Sequence, residues 1–284
     1  MVEGREPAPD RAGPILAVGD VNYYRSEPAP LGGRRNRARG DEGWASLEAT
    51  RGELIALHDL YQHVLGWETP FVRVEGAAAT EERVRAALPG KRYVHLATHG
   101  YFEPDHLPSL QRDAEEQRAD VDLGAQVEAV GLLPGLLSGL VFAGVNAEAD
   151  PGCDDGYLSA EEIQHLDLSA CDLAVLSACE TALGSQRAGE GLMSLRRSFE
   201  VAGARTVVSS LWKVDDRAAA ALMRRFYANH LGEGMGRLEA LHQAKLRMLR
   251  QNFSETGGDA RPSGWGRLRL ERRLALTGCR MSSP

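Results

Sequence analysis

A chain of 284 residues has room for one large α/β domain or two small ones, and 43% hydrophobic with 26% charged residues is ordinary globular composition. The net charge of −7 argues against a nucleic-acid protein that relies on broad phosphate contacts. No apolar run reaches the roughly 18 residues that span a bilayer, and Met1–Pro14 has no apolar signal-peptide core, so the expected location is cytoplasmic, with no membrane partner.

The charge is uneven. Arg34–Arg39 is a basic cluster, and six arginines face the single acid Glu271 between Arg261 and Arg280. The four cysteines, Cys153, Cys171, Cys179 and Cys279, are few and widely spaced. Neither a disulfide framework nor a CxxC zinc site is expected, and no cofactor is implied.

Residues 1–13 read as a polar tail rich in Pro and Gly. Ile15-Leu16-Ala17-Val18-Gly19 reads as a strand, residues 25–43 as a loop, and Leu47–Val64 as an amphipathic helix with apolar Leu54, Leu57 and Tyr61. Phe71–Val74 reads as a strand. Thr80 is the expected N-cap of a helix that Pro89-Gly90 stops. Three stronger strand signals follow: Tyr93–Ala97, Leu173–Ser177 and Thr206–Leu211. Helical patterns cover Gly191–Ala202, Asp215–Asn229 and Arg237–Gln251. Strands alternating with helices imply βαβ units and a mostly parallel sheet. The stretch 103–135 reads as a loop or insertion, and Leu136–Ala143 with Gly156-Tyr157-Leu158 as a short hairpin.

Ligands of a parallel α/β sheet bind at the carboxyl ends of its strands. His99 follows one strand there and Cys179 another. If those strands are neighbours, an imidazole and a thiol emerge at one edge, the pair that nucleophilic thiol chemistry needs. Gly100 lacks a Cβ, so a substrate carbonyl can approach its backbone, and its N–H joins that of Cys179 as a candidate oxyanion hole. The bland alternative is that Cys179 is a buried small residue and His99 an ordinary hydrogen-bonding one. Residue types and spacing alone leave that choice open.

The longer motifs narrow it. Thr98-His99-Gly100-Tyr101-Phe102 lies in YVHLATHGYF, and Cys179 lies in LAVLSACETALG. Before Cys179 come SGLVFAGVN and DDGYLSAEEI; after it come GEGLMSLRRSFEVAGARTVVSSLWKVDD and ALMRRFYANHL. Together, from about Ile15 to about Leu249, these resemble the CHAT domain, a bacterial relative of caspases and separases. The resemblance implies a caspase-like three-layer α/β fold with a mostly parallel central sheet flanked by helices. It also implies a thiol peptidase with a His99–Cys179 dyad in the ATHG and SACET positions. Residues 14–260 are the expected domain. Relatives often read a charged P1 residue with a buried opposite charge, which makes Glu180, Asp215, Asp216 and Asp155 candidates to line an S1 pocket favouring Arg or Lys. For Asp215 and Asp216 the competing reading is an N-cap of the following helix.

Family members commonly carry helical repeats ahead of this domain that bind partners, and this chain has no repeats. The implied function is a regulatory cysteine endopeptidase acting on a protein or peptide substrate, with a possible regulatory protein partner. The alternative is a catalytically silent scaffold.

Asp155, Gly156 and Glu162 fall at calcium-loop positions 5, 6 and 12, but positions 1 and 3 are then Pro151 and Cys153, so no metal site is read there. His58, His63, His95, His165, His230 and His242 lack companion ligands at metal spacing. No dinucleotide loop, P-loop or GxSxG elbow is present.

The C-terminus departs from the family. An apolar ending resembling WAAFVLSGDW is expected, whereas Trp265 precedes GRLRLERRLALTGCRMSSP. Codons for Trp265–Leu274 exist that, read two nucleotides later, give Gly-Gly-Ala-Phe-Val-Leu-Ser-Gly-Asp. Residues 261–284 therefore read either as a frameshifted ending or as a naturally divergent Arg-rich tail, decided by the nucleotide sequence.

Overall fold

A computed structural model of the chain describes residues 12–24, 43–102, 138–147, 155–177, 188–210, 216–255 and 268–272. The elements begin with β1 (Ile15–Val21), α1 (Glu48–Leu65), β2 (Phe71–Gly76), α2 (Glu81–Ala87), β3 (Tyr93–Leu96) and β4 (Gly100–Phe102). Next come β5 (Ser138–Val141), β6 (Tyr157–Ser159), α3 (Ala160–Gln164) and β7 (Leu173–Leu176). The chain continues through α4 (Ala188–Val201), β8 (Thr206–Ser210), α5 (Asp216–Tyr227), a π-helical turn at Ala228–Gly232, α6 (Arg237–Glu255) and β9 (Leu268–Arg272).

The central sheet runs β2-β1-β3-β7-β8-β9. Its first five strands are parallel, and β9 is antiparallel to β8. β1, β3 and β7 are buried at almost every position because helices cover both faces. Ile15, Ala17, Tyr93, Leu173 and Val175 pack against α1, α5 and α6. Leu16, Val18, Val94, Ala174 and Leu176 pack on the other side, against α2, α3, α4 and β5. This is the expected α/β architecture with a mostly parallel sheet between helical layers.

Local chemistry sets several boundaries. Thr80 Oγ1 accepts the Arg83 N–H at 3.2 Å, as expected of an N-cap. Ser159 and Glu162 form a capping box at the start of α3. Glu162, the acid that invites a calcium-loop reading, thus satisfies a helix start. Gly203 adopts φ +120°, and a Cβ there would stand 2.8 Å from the Ser169 nitrogen, so the turn from α4 into β8 requires glycine.

Three features extend the sequence reading. The expected hairpin is part of a three-stranded antiparallel sheet, β4-β5-β6, whose first strand starts at Gly100. The helix read as Asp215–Asn229 ends at Tyr227 and passes into the π turn, where Glu233 N–H bonds to Ala228 O at 3.0 Å and Asn229 Nδ2 donates to Ala240 O at 3.0 Å. In the tail read as lacking apolar alternation, Leu268 and Leu270 alternate with Arg269 and Glu271, and this stretch is β9.

Strand order reverses direction at β1 and β3: β2 lies to one side of the pair and β7 and β8 to the other. Such a switch point leaves a crevice at the carboxyl ends of the strands.

Candidate active site

β3 and β7 are hydrogen-bonded neighbours, with Leu96 paired to Leu176. Both strands leave the sheet at this level: Ala97 N–H reaches Val18 O at 2.8 Å, and Ser177 N–H reaches Leu96 O at 2.9 Å. His99 stands three residues beyond Leu96, and Cys179 three beyond Leu176. Cys179, Glu180 and Asp215 lie outside the described residues, as does the side chain of Asp216, which opens α5.

His99 is 5% exposed. Its Nε2 lies 2.8 Å from the Ala45 carbonyl oxygen, and since a carbonyl only accepts, Nε2 carries the hydrogen. In the neutral ring that fixes the tautomer, with Nδ1 as the acceptor nitrogen. The ring sits between Tyr23 and Trp44, with centroids 5.2 Å away in each case. Thr98 anchors the turn beneath it: its hydroxyl donates to Val141 O at 2.5 Å and lies 3.0 Å from the Tyr23 hydroxyl.

Asn146 locks the segment that carries Ala45. Its Oδ1 accepts the Trp44 N–H, and its Nδ2 donates to Trp44 O, each at 2.8 Å. Its own N–H donates to Tyr23 O at 2.9 Å. One buried amide therefore holds together the two segments that flank the histidine ring.

Gly100 begins β4, opposite Leu140. The adjacent pair, His99 with Val141, is hydrogen-bonded, with Val141 N–H donating to His99 O at 3.0 Å. Antiparallel ladders alternate bonded and non-bonded pairs, so the Gly100 N–H is turned away from β5. Asp155 is exposed, and its Oδ1 accepts the Tyr157 N–H at 2.9 Å, a local turn. Tyr157 pairs with Val141, which puts Asp155 at the His99 end of the small sheet.

Cys171 lies at the other end of β7, buried, and burial pushes its thiol up to about 12. A thiol so placed is no nucleophile. No group of three or more metal-ligating side chains occurs among the described residues. His58 packs its edge on Phe71, His165 lies 3.6 Å from Glu161, and His230 Nδ1 bonds to Met235 O. No helix among the described residues is long and apolar enough to cross a membrane.

The residues that sequence reasoning missed are Tyr23, Trp44, Ala45 and Asn146. The available signals were weak: aromatics directly after β1, and a tryptophan at the end of a stretch rich in Gly, Pro and Arg.

A parallel sheet whose adjacent strands lead at equal offset to a histidine and a cysteine, with a small antiparallel sheet springing from the histidine, defines a caspase-like α/β protein. Within that class the chain belongs to the CHAT domain family, a caspase-like, peptidase-related family, which matches residues 3–270. The match extends beyond the Ile15–Leu249 region of motif resemblance at both ends. Tetratricopeptide repeat protein 28 of Mus musculus is 28% identical over 239 residues, covering 78% of this chain and 8% of that protein. The Homo sapiens protein of the same name is 27% identical over 195 residues, covering 67% of this chain and 7% of that protein. The chain thus spans less than a tenth of these mammalian relatives.

Proposed function

We propose that the chain is a cysteine endopeptidase in which Cys179 is the nucleophile and His99 the general base and acid. The observation that carries this reading is the register of β3 and β7, which sets His99 and Cys179 at the same offset beyond the paired residues Leu96 and Leu176. The fixed tautomer of His99 supports it. With Nε2 donating to Ala45 O, Nδ1 takes the thiol proton, and the thiolate adds to the scissile carbonyl. The oxyanion is held by the N–H groups of Gly100 and Cys179; each such donor is worth about 10²–10³ in rate. As the tetrahedral intermediate collapses, His99 returns the proton to the leaving amine. Water activated by His99 then hydrolyses the thioester and regenerates the thiol.

Charge supplies the proposed specificity: Glu180, Asp215, Asp216 and Asp155 are the carboxylates assigned to an S1 pocket that favours a basic P1 residue. A second reading, a protein-binding module, is favoured by relatives that carry the name tetratricopeptide repeat protein. A pooled peptide library, incubated with wild type and Cys179→Ala and followed by mass spectrometry, separates the two. Cuts after Arg or Lys that vanish in the variant are the expected result. Identical, uncut libraries overturn the peptidase.

A further inference from the structure

Below the rim, on the face covered by α1 and α5, lies a buried polar cluster with no place in the dyad chemistry itself. Glu53 on α1 is 2% exposed. Its Oε1 accepts the Ser177 hydroxyl at 2.6 Å and lies 3.1 Å from His95 Nε2. The His95 contact is close but lacks hydrogen-bond alignment, and Glu53 Oε2 has no hydrogen-bond partner among the described residues. His95 is fully buried, and its Nδ1 lies 3.2 Å from the Tyr227 hydroxyl. Burial, with the nearby Glu53 carboxylate as a further cause, holds the Tyr227 phenol well above its ordinary pKa, so it stays neutral.

This arrangement is costly. Taking a carboxylate out of water costs several kcal/mol unless its lone pairs are met, and here one oxygen is not. The surrounding face is apolar, with Ile15, Ala17, Leu54, Leu57 and Val175, so a leucine at position 53 suits packing better. What the carboxylate does that a leucine cannot is touch both strand ends. Ser177 stands two residues before Cys179, and His95 four before His99. One side chain on α1 therefore hydrogen-bonds the residue just after β7 and contacts His95 near the end of β3, the two strands that lead to the proposed pair.

We propose that Glu53 is a positioning residue, its carboxylate tying the two strand exits together and fixing, through Ser177, the start of the segment that carries Cys179. The role rests on the peptidase reading only for its consequence in catalysis; the placing of the thiol is measurable without substrate.

The test compares the full chain with Ser177→Ala and Glu53→Leu. Three quantities are read: the rate of Cys179 alkylation by iodoacetamide at pH 7, followed on its own peptide by mass spectrometry; kcat and KM on a cleaved peptide; and the thermal midpoint. Ser177→Ala removes one hydrogen bond and lowers the midpoint by about 2 °C. It slows alkylation and lowers kcat about tenfold or more while KM stays within about twofold. Glu53→Leu, which also removes the His95 contact, gives at least the same kinetic loss, and the double variant loses no more than Glu53→Leu alone, because the Ser177 link is already cut. A brace that serves stability alone predicts a lower midpoint with the kinetics of the folded molecules unchanged, and that result overturns the proposal. Should Glu53→Leu fail to fold, Ser177→Ala decides alone: alkylation within about twofold of wild type refutes the role, since a thiol moved away from the His99 imidazole loses thiolate character and reacts more slowly. If wild type cuts no peptide, the peptidase reading falls by that result, and the alkylation comparison still decides whether Glu53 places Cys179.

Discussion

Replacing Asn146 with alanine removes the amide that holds the tryptophan segment against the segment after β1. Two side-chain hydrogen bonds of 2.8 Å disappear, and the Trp44 N–H and C=O, on a residue that is 1% exposed, lose the Asn146 amide. Each lost bond is worth about 1 kcal/mol net, and a stranded buried group adds to that, so the expected cost is about 2–3 kcal/mol. A chain of 284 residues unfolds with about 0.6 kcal/mol/K of entropy, which converts that cost into a midpoint about 4 °C lower. Activity suffers more than stability does. Once residues 43–45 loosen, the Ala45 carbonyl no longer fixes the His99 tautomer and Trp44 no longer flanks its ring, so cleavage falls about tenfold to a hundredfold. Thermal melts by circular dichroism and cleavage assays well below the midpoint separate the two effects. An Asn146→Ala variant that melts within about 1 °C of wild type and cleaves at the same rate refutes the reasoning, because it means that Trp44 and Ala45 are held by something else.

Burial raises the Cys171 thiol from its ordinary 9.0 to about 12, with Asp172 adding to the shift, so iodoacetamide at pH 8 labels Cys171 only after denaturation; labelling of the folded protein refutes this. The same shift makes stability pH-dependent. The folded pKa is the higher one, so the neutral thiol contributes in full below pH 9, and the contribution drains as pH rises toward about 12. At pH 10 about 1.4 kcal/mol is gone, so between pH 8 and 10 the wild-type midpoint falls about 2 °C further than that of Cys171→Ala, and parallel curves rule it out. Gly203→Ala forces a Cβ to 2.8 Å from the Ser169 nitrogen at φ +120°; neither backbone yields cheaply, so about 2–3 kcal/mol is lost and the midpoint drops about 4 °C, whereas an unchanged melt shows that the turn relaxes.

The central strands β1, β3 and β7 were legible because they are covered on both faces. Ile15–Val18, Tyr93–Leu96 and Leu173–Leu176 carry buried side chains at every position, so burial writes itself into consecutive residues. The start of α2 was legible because the short polar side chain of Thr80 serves its own backbone, whereas the short helix α3, capped the same way by Ser159, was not read from the sequence. β9 was missed because its alternation lasts five residues within an arginine-rich tail, and ladder bonds to β8 come from the main chain, which the side chains only bias.

For the site, the identity of the proposed pair was written in the chain, in ATHG and SACET motifs that each follow an apolar run. The sequence alone determined the fold class, the order of the parallel strands and their main helices, and His99 and Cys179 as the candidate pair. Only the tertiary structure decided that β3 and β7 are neighbours in register, and that His99 is held from Ala45, 54 residues away, by a segment that Asn146 clamps from 102 residues away. Composition and periodicity report what a residue does to its own few neighbours along the chain. Which distant segment supplies an acceptor to an imidazole depends on sheet order and loop path, and those follow from the packing of the whole domain.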